Sequence, residues 1–333
     1  MNVSGKSVPS AEESAMQARA PSSLDASLCI LNWNGAKLLA GCLQSVRDIR
    51  SSNGVECEII VVDNGSSDDS VEMIRSQFSE VLLVANAKNL NIATAINQAI
   101  RLGSGRHFLL LNNDILLLDD CLDQMVHFLD RNPRAGIVAG RLLNPDGSTQ
   151  VNYYPGRLPS VHSMIAELLW LSRLWGRRTP SGLADWDSNK ACRMEQVPGA
   201  CMMVRREVFE QIGFWDGDFT CWYEDVDFCC RGHQAGWEIW YLPEARVVHY
   251  GGATFRELCI SQKTIWRFHG LLRYSAKHFS WMRYALVRFL VLLILLFRLP
   301  IVALLCIWPR AEVRSAWKGT IPTYLRLIAK LSG

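Results

Sequence analysis

Short apolar runs and amphipathic stretches alternate along the first third of the chain. Ser27-Leu28-Cys29-Ile30-Leu31 reads as a buried strand that stops at Asn32-Trp33-Asn34-Gly35. A helical stretch follows, with Leu38, Leu39, Leu43 and Val46 on one face. Glu58-Ile59-Ile60-Val61-Val62 predicts a second strand, ending at Asp63-Asn64-Gly65-Ser66-Ser67-Asp68. Val71 to Phe78 predicts a helix, Val81 to Val84 a third strand, Ile92 to Leu102 a helix, and His107 to Leu111 a fourth strand that stops at Asn112-Asn113-Asp114. This rhythm predicts an α/β fold: a mostly parallel central sheet with helices on both faces. Polar residues collect past the C-terminal strand ends, where open α/β sheets bind ligands.

From Ile137 to about Val248 the pattern is irregular. It contains a turn signal, Asn144-Pro145-Asp146-Gly147, and a dense aromatic and acidic cluster between Trp215 and Trp240. Beyond Gly252 the chain turns basic and aromatic, and Tyr284 to Trp308 is strongly apolar, broken by Arg288, Arg298 and Pro300.

Composition narrows the class. The 333 residues, 49% hydrophobic and 20% charged, suit a globular protein with a sizeable core. Met1 to Asp25 lacks apolar periodicity and is expected to be disordered; being polar, small and charged, it is not expected to be a secretory leader. The eleven cysteines lack metal-site or redox spacing and are expected to be reduced, mostly buried thiols. From Arg267 onward there are eleven Lys or Arg against one acid, Glu312, so the remainder is net acidic, near minus seven. That asymmetry predicts an anionic partner for the tail alone. No Gly-x-Gly-x-x-Gly follows the first strand and no phosphate loop is present, which disfavours a dinucleotide site or an NTPase.

Four constellations can carry chemistry. Asp63, at a central strand end, can accept the imide N–H of a pyrimidine base; equally, Asp63-Asn64-Gly65-Ser66 can be a turn and helix cap. Asn112-Asn113-Asp114 can hold Mg²⁺ or Mn²⁺ beside a diphosphate, or simply end a strand. In Trp222-Tyr223-Glu224-Asp225-Val226-Asp227, three acids among aromatics are costly to bury without purpose, and a general base is the favoured reading; Arg231 can neutralise one acid. His249, after a strand, can be a structural histidine; equally, it precedes two glycines, which let backbone approach a ligand.

In their order these segments, with Asn89-Leu90-Asn91-Ile92-Ala93 to Asn97, Pro198-Gly199-Ala200 and Arg205-Arg206, resemble glycosyltransferase family 2. These are the inverting enzymes of GT-A fold, and the likeness is to their rhamnosyltransferase-like branch, over about Ser27 to Thr254. The resemblance implies that Asp63 binds the base, with Leu31, Asn32, Asn34, Asn89, Asn97 and Asn113 around the nucleotide sugar. It implies Asp114 as principal metal ligand, with Asn112 and His249 completing the site for Mg²⁺ or Mn²⁺. Asp225 matches the catalytic base and Glu224 its acidic neighbour; Asp227 and Arg231 are candidates for acceptor or diphosphate contacts. Three departures stand out: Asn112 replaces an acid, Asn91 and Thr94 replace glycines, and Trp33 replaces a tyrosine.

The expectation is therefore an inverting hexosyltransferase with three regions: 1–25 disordered, 26–255 the GT-A domain, and 256–333 basic, apolar C-terminal membrane-associating helices. The donor implied is a dTDP- or UDP-sugar, foremost dTDP-rhamnose. The acceptor implied is a polyprenyl-diphosphate-linked or other saccharide of cell-envelope synthesis. Anionic lipids are expected as partners at the cytoplasmic face of the plasma membrane, and nucleic acid is not. A catalytically weak or inactive sugar-binding GT-A protein is the alternative, favoured by Asn112. A nucleotidyltransferase would need a Gly-rich basic loop after the first strand.

Overall fold

The computed structural model describes residues 23–52, 54–153, 156–168, 186–251, 260–307, 317 and 319–332. The expectation of disorder over Met1 to Asp25 falls outside these but for its last three residues, and the expected boundary near 255 falls outside them entirely.

The N-terminal half folds as its pattern predicts. Strands β1 (Ala26–Asn32), β2 (Cys57–Asp63), β3 (Leu82–Ala85) and β4 (His107–Asn112) alternate with helices α1 (Ala36–Ser52), α2 (Ser70–Gln77) and α3 (Ile92–Leu102). All four strands are parallel, in the order β3-β2-β1-β4. β1, β2 and β4 are apolar at nearly every position because helices cover both faces.

The second half extends the sheet with mixed pairing. β5 (Ile115–Leu117), α4 (Cys121–Arg131), β6 (Ala135–Leu143), a short α5 (Val161–Leu168), β7 (Cys192–Met194), β8 (Cys201–Arg205), α6 (Arg206–Ile212), α7 (Glu224–Gln234) and β9 (Glu238–His249) follow. The sheet order continues β4-β8-β6-β9-β5, with β7 on β9. β8 runs antiparallel to β4 and to β6, and β6 runs parallel to β9. β5 lies antiparallel to the end of β9, with Ile115 opposite His249. This pairing carries the tail of the twelve-residue strand β9 back to the loop after β4.

Three further helices close the described chain: α8 (Ile260–His278), α9 (Trp281–Cys306) and α10 (Thr320–Ser332). They share a second apolar core with α5, in which Met164, Phe268, Leu271, Val291 and Leu295 are buried. α9 runs unbroken through Pro300. It buries Val287, Val291, Leu295 and Val302 against its neighbours and exposes Trp281, Met282, Phe289, Phe297 and Leu304 on the other side. Arg288 does not stand alone in this helix: its Nε donates to the carbonyl of Leu331, 3.0 Å away at the C-terminal end of α10, where helix dipoles favour cations. Among the described residues the ten cysteines are free, and most are buried.

Candidate functional site

A cleft of about 1170 Å³ opens at the C-terminal ends of β1, β2 and β4. Beneath its lining, polar side chains are linked across three strand ends. Asn113 Nδ2 donates to Asn32 Oδ1 at 2.6 Å, and Asn32 Nδ2 donates to Asp63 Oδ1 at 2.9 Å. The register makes this possible, since Asn32 sits opposite Asp63 and Leu31 opposite Asn112. Gly35 leaves the space: a Cβ there would lie 2.1 Å from Asn113 Nδ2.

Asp63 is buried, and Ser66 supplies the rest of its donors, through its hydroxyl at 2.6 Å and its backbone N–H at 2.9 Å. It shapes a turn, and its neighbour Asn64 faces the cleft instead. Asn91, one of the departures from the family pattern, has φ of 73°, a left-handed backbone that glycine adopts readily and asparagine tolerates. Its side chain accepts the N–H of Thr94 and so caps α3. The substitution keeps the backbone that a glycine would supply.

Asp114 and His249 meet through the β5–β9 pairing. Both are buried, and His249 Nε2 lies 3.5 Å from Asp114 Oδ1. That oxygen has no hydrogen-bond partner. On the other edge of the ring, His249 Nδ1 lies 2.8 Å from Gln150 Oε1. Burial lowers the basicity of His249 against the pull of Asp114. Among the described residues no three His, Cys, Asp or Glu side chains gather into a ready-made metal site. The donors present are a pair with one unsatisfied carboxylate oxygen, and this fits an ion that takes its remaining ligands from a diphosphate and water, as Mg²⁺ commonly does.

Glu224 and Asp225 begin α7 and line the same cleft. Asp225 Oδ2 accepts the N–H of Gly199 at 2.9 Å, and Oδ1 accepts that of Val226 at 2.8 Å. Glu224 Oε2 is buried without a partner. Burial first, and the neighbouring Asp225 charge second, push the Glu224 carboxyl up to about 8. Burial raises Asp225 too, but backbone N–H groups from Gly199 and Val226 oppose it. The pair is therefore split by its surroundings: near neutral pH Asp225 is the better carboxylate and Glu224 the better acid. Before them, Trp222 and Tyr223 have φ of 63° and 70°, two consecutive left-handed residues with side chains. Such strain persists only where packing enforces it. Helix α8 supplies the packing, since a Cβ on Gly270 would lie 2.8 Å from Trp222 O.

Asp227 does not reach the cleft. It is fully buried, bonded to Arg231 Nε at 2.8 Å and His278 Nε2 at 2.7 Å, with Lys277 Nζ 2.9 Å away. Burial alone would raise its pKa; the His278 bond and the Arg231 and Lys277 charges hold it well below the usual carboxylate range. Arg231 spends its other donors on the carbonyls of Ile212 and Phe214. In this arrangement the two residues form a clamp that ties α7 to α8.

Of the residues singled out in the sequence, Leu31, Asn89, Asn112, Asn113, Asp114, Glu224, Asp225 and His249 line the cleft. Asn32, Asn34, Asp63, Asn97 and Asp227 do not; Asn97 instead bonds the backbone of Trp215, with its Nδ2 2.7 Å from the carbonyl. Gln196, Tyr153 and three residues of α8, Gln262, Trp266 and Arg267, also line the cleft, and Gln150 lies behind His249; no sequence pattern singles them out as site residues. The basic helix reads in sequence as part of a lipid-facing tail, yet its N-terminal half walls the cleft.

The profile described as "Glycosyl transferase family 2" matches residues 27–213. An N-acetylglucosaminyl-diphospho-decaprenol L-rhamnosyltransferase of Mycobacterium tuberculosis is 28% identical over 210 residues, 58% of this chain and 66% of that protein. The O-antigen biosynthesis protein RfbC of Myxococcus xanthus is 27% identical over 219 residues, 65% of this chain and 16% of its own length. The chain thus spans just under two thirds of the first of these relatives and far less of the second. The mannosyltransferase PcManGT of Pyrobaculum calidifontis, solved in complex with GDP-Man and Mn²⁺, shares the fold at a TM-score of 0.51 and 14% identity, covering 96% of this chain and 92% of that one.

Proposed function

The chain belongs to glycosyltransferase family 2, and from that premise we propose that it is a nucleotide-sugar-dependent hexosyltransferase that transfers L-rhamnose from dTDP-rhamnose, with inversion, to a lipid-linked saccharide at the cytoplasmic face of the plasma membrane. The observation that carries the chemistry is the split pair at the head of α7. Asp225 is partly open to the cleft and held by two backbone N–H groups, so it takes the acceptor proton as general base. Glu224 stays protonated beside it and spares the site a second negative charge.

Asp114 and His249 would hold Mg²⁺ or Mn²⁺, with Asn112 alongside; the ion, when bound, neutralises charge on the departing nucleoside diphosphate. The nucleotide lies over the ends of β1 and β2, on a surface that the Asp63–Ser66 turn shapes and Asn64 and Asn89 reach. Support for the sugar and acceptor comes from the mycobacterial relative, an N-acetylglucosaminyl-diphospho-decaprenol L-rhamnosyltransferase. The exposed apolar face of α9, long and apolar enough to cross a membrane, supports attachment through the region beyond residue 255, with the sugar-transferring unit on its N-terminal side. A layer of anionic lipid suits its basic flanks.

The test is transfer by the purified full chain in detergent, with a panel of nucleotide sugars and a polyprenyl-diphosphate-linked N-acetylglucosamine, with and without EDTA. Rhamnose transfer that EDTA abolishes and Mn²⁺ or Mg²⁺ restores supports the proposal. Transfer of another sugar alone sinks the donor assignment, and full activity in EDTA sinks the metal role. Asn112, in place of an acid, favours a weak or inactive protein, and no transfer from any donor would support that reading.

A further inference from the structure

The turn that follows β6 has no part in the proposed chemistry, yet it ends against the candidate metal pair. Ser148 Oγ donates to Asp146 Oδ1 at 2.6 Å. With its hydrogen so committed, that oxygen accepts from Asn144 Nδ2 at 2.8 Å. The Asn144 amide is thereby oriented with Oδ1 outward, where it accepts Gln150 Nε2 at 2.9 Å. The same Nε2 donates to the carbonyl of His249 at 2.6 Å. Both acceptors lie at one end of the Gln150 amide, so Nε2 must face them and Oε1 must face His249 Nδ1. An amide oxygen only accepts, so Nδ1 carries the hydrogen. In the neutral ring Nε2 then bears the lone pair, 3.5 Å from the unpartnered oxygen of Asp114.

Two lone-pair atoms 3.5 Å apart in a buried setting repel unless a metal ion or a proton lies between them. Adjacent ligands of an octahedral ion at about 2.1 Å are about 3 Å apart, so the pair is already close to ligand spacing. Tyr153 packs its ring edge-on to His249 with centroids 5.0 Å apart, which limits rotation of the imidazole. Gly251, with φ of 67°, lets the chain leave β9 beside Gln150.

We propose that Gln150 is a positioning residue for the metal site. It is oriented by the Asn144–Ser148–Asp146 turn and locks His249 as the Nδ1–H tautomer, so that Nε2 is presented as a ligand alongside Asp114. The inference rests on the metal reading above, and the hold on the ring can be measured without metal. Histidine ligands commonly donate their second N–H to a fixed acceptor, and loss of that acceptor costs about 10- to 100-fold in metal affinity. Gln150 is one such acceptor, contributed by a segment about a hundred residues away in sequence.

The test uses the full chain in detergent with two variants, Gln150→Met and Gln150→Glu. Met removes the acceptor at similar size; Glu, in its protonated form, keeps an acceptor for Nδ1–H and turns its O–H to the two acceptors that the Gln150 Nε2 serves. Mn²⁺ binding is titrated by the loss of the free-ion electron paramagnetic resonance signal. The tautomer of metal-free His249 is read from its ¹⁵N shifts, assigned with His249→Ala. The expected result is about a 10- to 100-fold weaker Mn²⁺ affinity for Gln150→Met, recovery to within a few-fold for Gln150→Glu, and loss of the Nδ1–H tautomer in the Met variant alone. Unchanged affinity in Gln150→Met, or an Nε2–H tautomer in the unaltered protein, overturns the proposal. If the unaltered protein takes up no Mn²⁺ yet the tautomer changes as expected, the metal reading fails and the hold of Gln150 on the ring stands.

Discussion

His278 offers a stability test whose sign and size follow from the structure. Its Nε2 lies 2.7 Å from Asp227 and its Nδ1 3.4 Å from Cys230 Sγ, with its side chain 6% exposed. Burial alone would lower its pKa, but the bonds to Asp227 and Cys230 outweigh this and raise it from 6.5 to about 9. The proton is thus held more tightly in the folded chain than in the unfolded one. The stabilisation is fully present below about pH 6.5 and is lost as pH rises through about 9. At about 1.4 kcal/mol per pKa unit the difference is about 3 kcal/mol, an order-of-magnitude figure. His278→Gln keeps a neutral donor toward Asp227 and removes the titration. Its stability deficit is expected to be about 3 kcal/mol near pH 6, or roughly 4 °C in Tm for a chain of this length, and to shrink to a small packing remainder near pH 10. Thermal unfolding of the detergent-solubilised chain at the two pH values measures it. A deficit of equal size at both would refute the reasoning, because a lost packing contact does not titrate.

Other expectations concern the cleft. Asp225→Asn should lower kcat by about 10²- to 10⁴-fold while nucleoside diphosphate affinity, measured calorimetrically, holds, because the base acts only on the acceptor proton. Gly199→Ala should also lower kcat: a Cβ there would lie 2.8 Å from Trp215 Cη2 and 3.2 Å from Asp225 Cβ, displacing the base and straining the N–H that holds it. Wild-type kinetics for Gly199→Ala would show that the Gly199–Asp225 contact does not position the carboxylate. Asp114→Ala should reproduce the effect of EDTA on transfer and abolish tight Mn²⁺ uptake, whereas unchanged Mn²⁺ affinity would remove Asp114 from the ligand set.

The parallel half of the sheet is legible in the sequence because each strand is a short apolar run buried on both faces, and each ends in polar residues that cannot continue it. Those ends, Leu31, Asn112, Asn113 and Asp114, open on the cleft, and a local pattern suffices to find them. The pairing of Asp114 with His249 is different in kind. It depends on β5 lying antiparallel to β9, a contact between distant segments that no periodicity encodes. Gln150 is hidden for the same reason, since its value comes from a turn that doubles back on His249. Asp227 reads as a candidate acceptor or diphosphate contact because it stands among acids, whereas its partners Lys277 and His278 come from a helix fifty residues on. Arg288 reads as a costly interruption of an apolar helix until the carbonyl of Leu331 is seen to receive it.

The central claim is inverting transfer with Asp225 as base, and the most direct measurement is the anomeric configuration of the product by ¹H and ¹³C NMR. Purified full-length protein, dTDP-β-L-rhamnose, a lipid-diphosphate-linked N-acetylglucosamine and Mn²⁺ supply the reaction, with Asp225→Asn alongside. The account predicts an α-linked rhamnosyl product from the unaltered protein and almost none from the variant. A β-linked product, or an undiminished yield from Asp225→Asn, would contradict it.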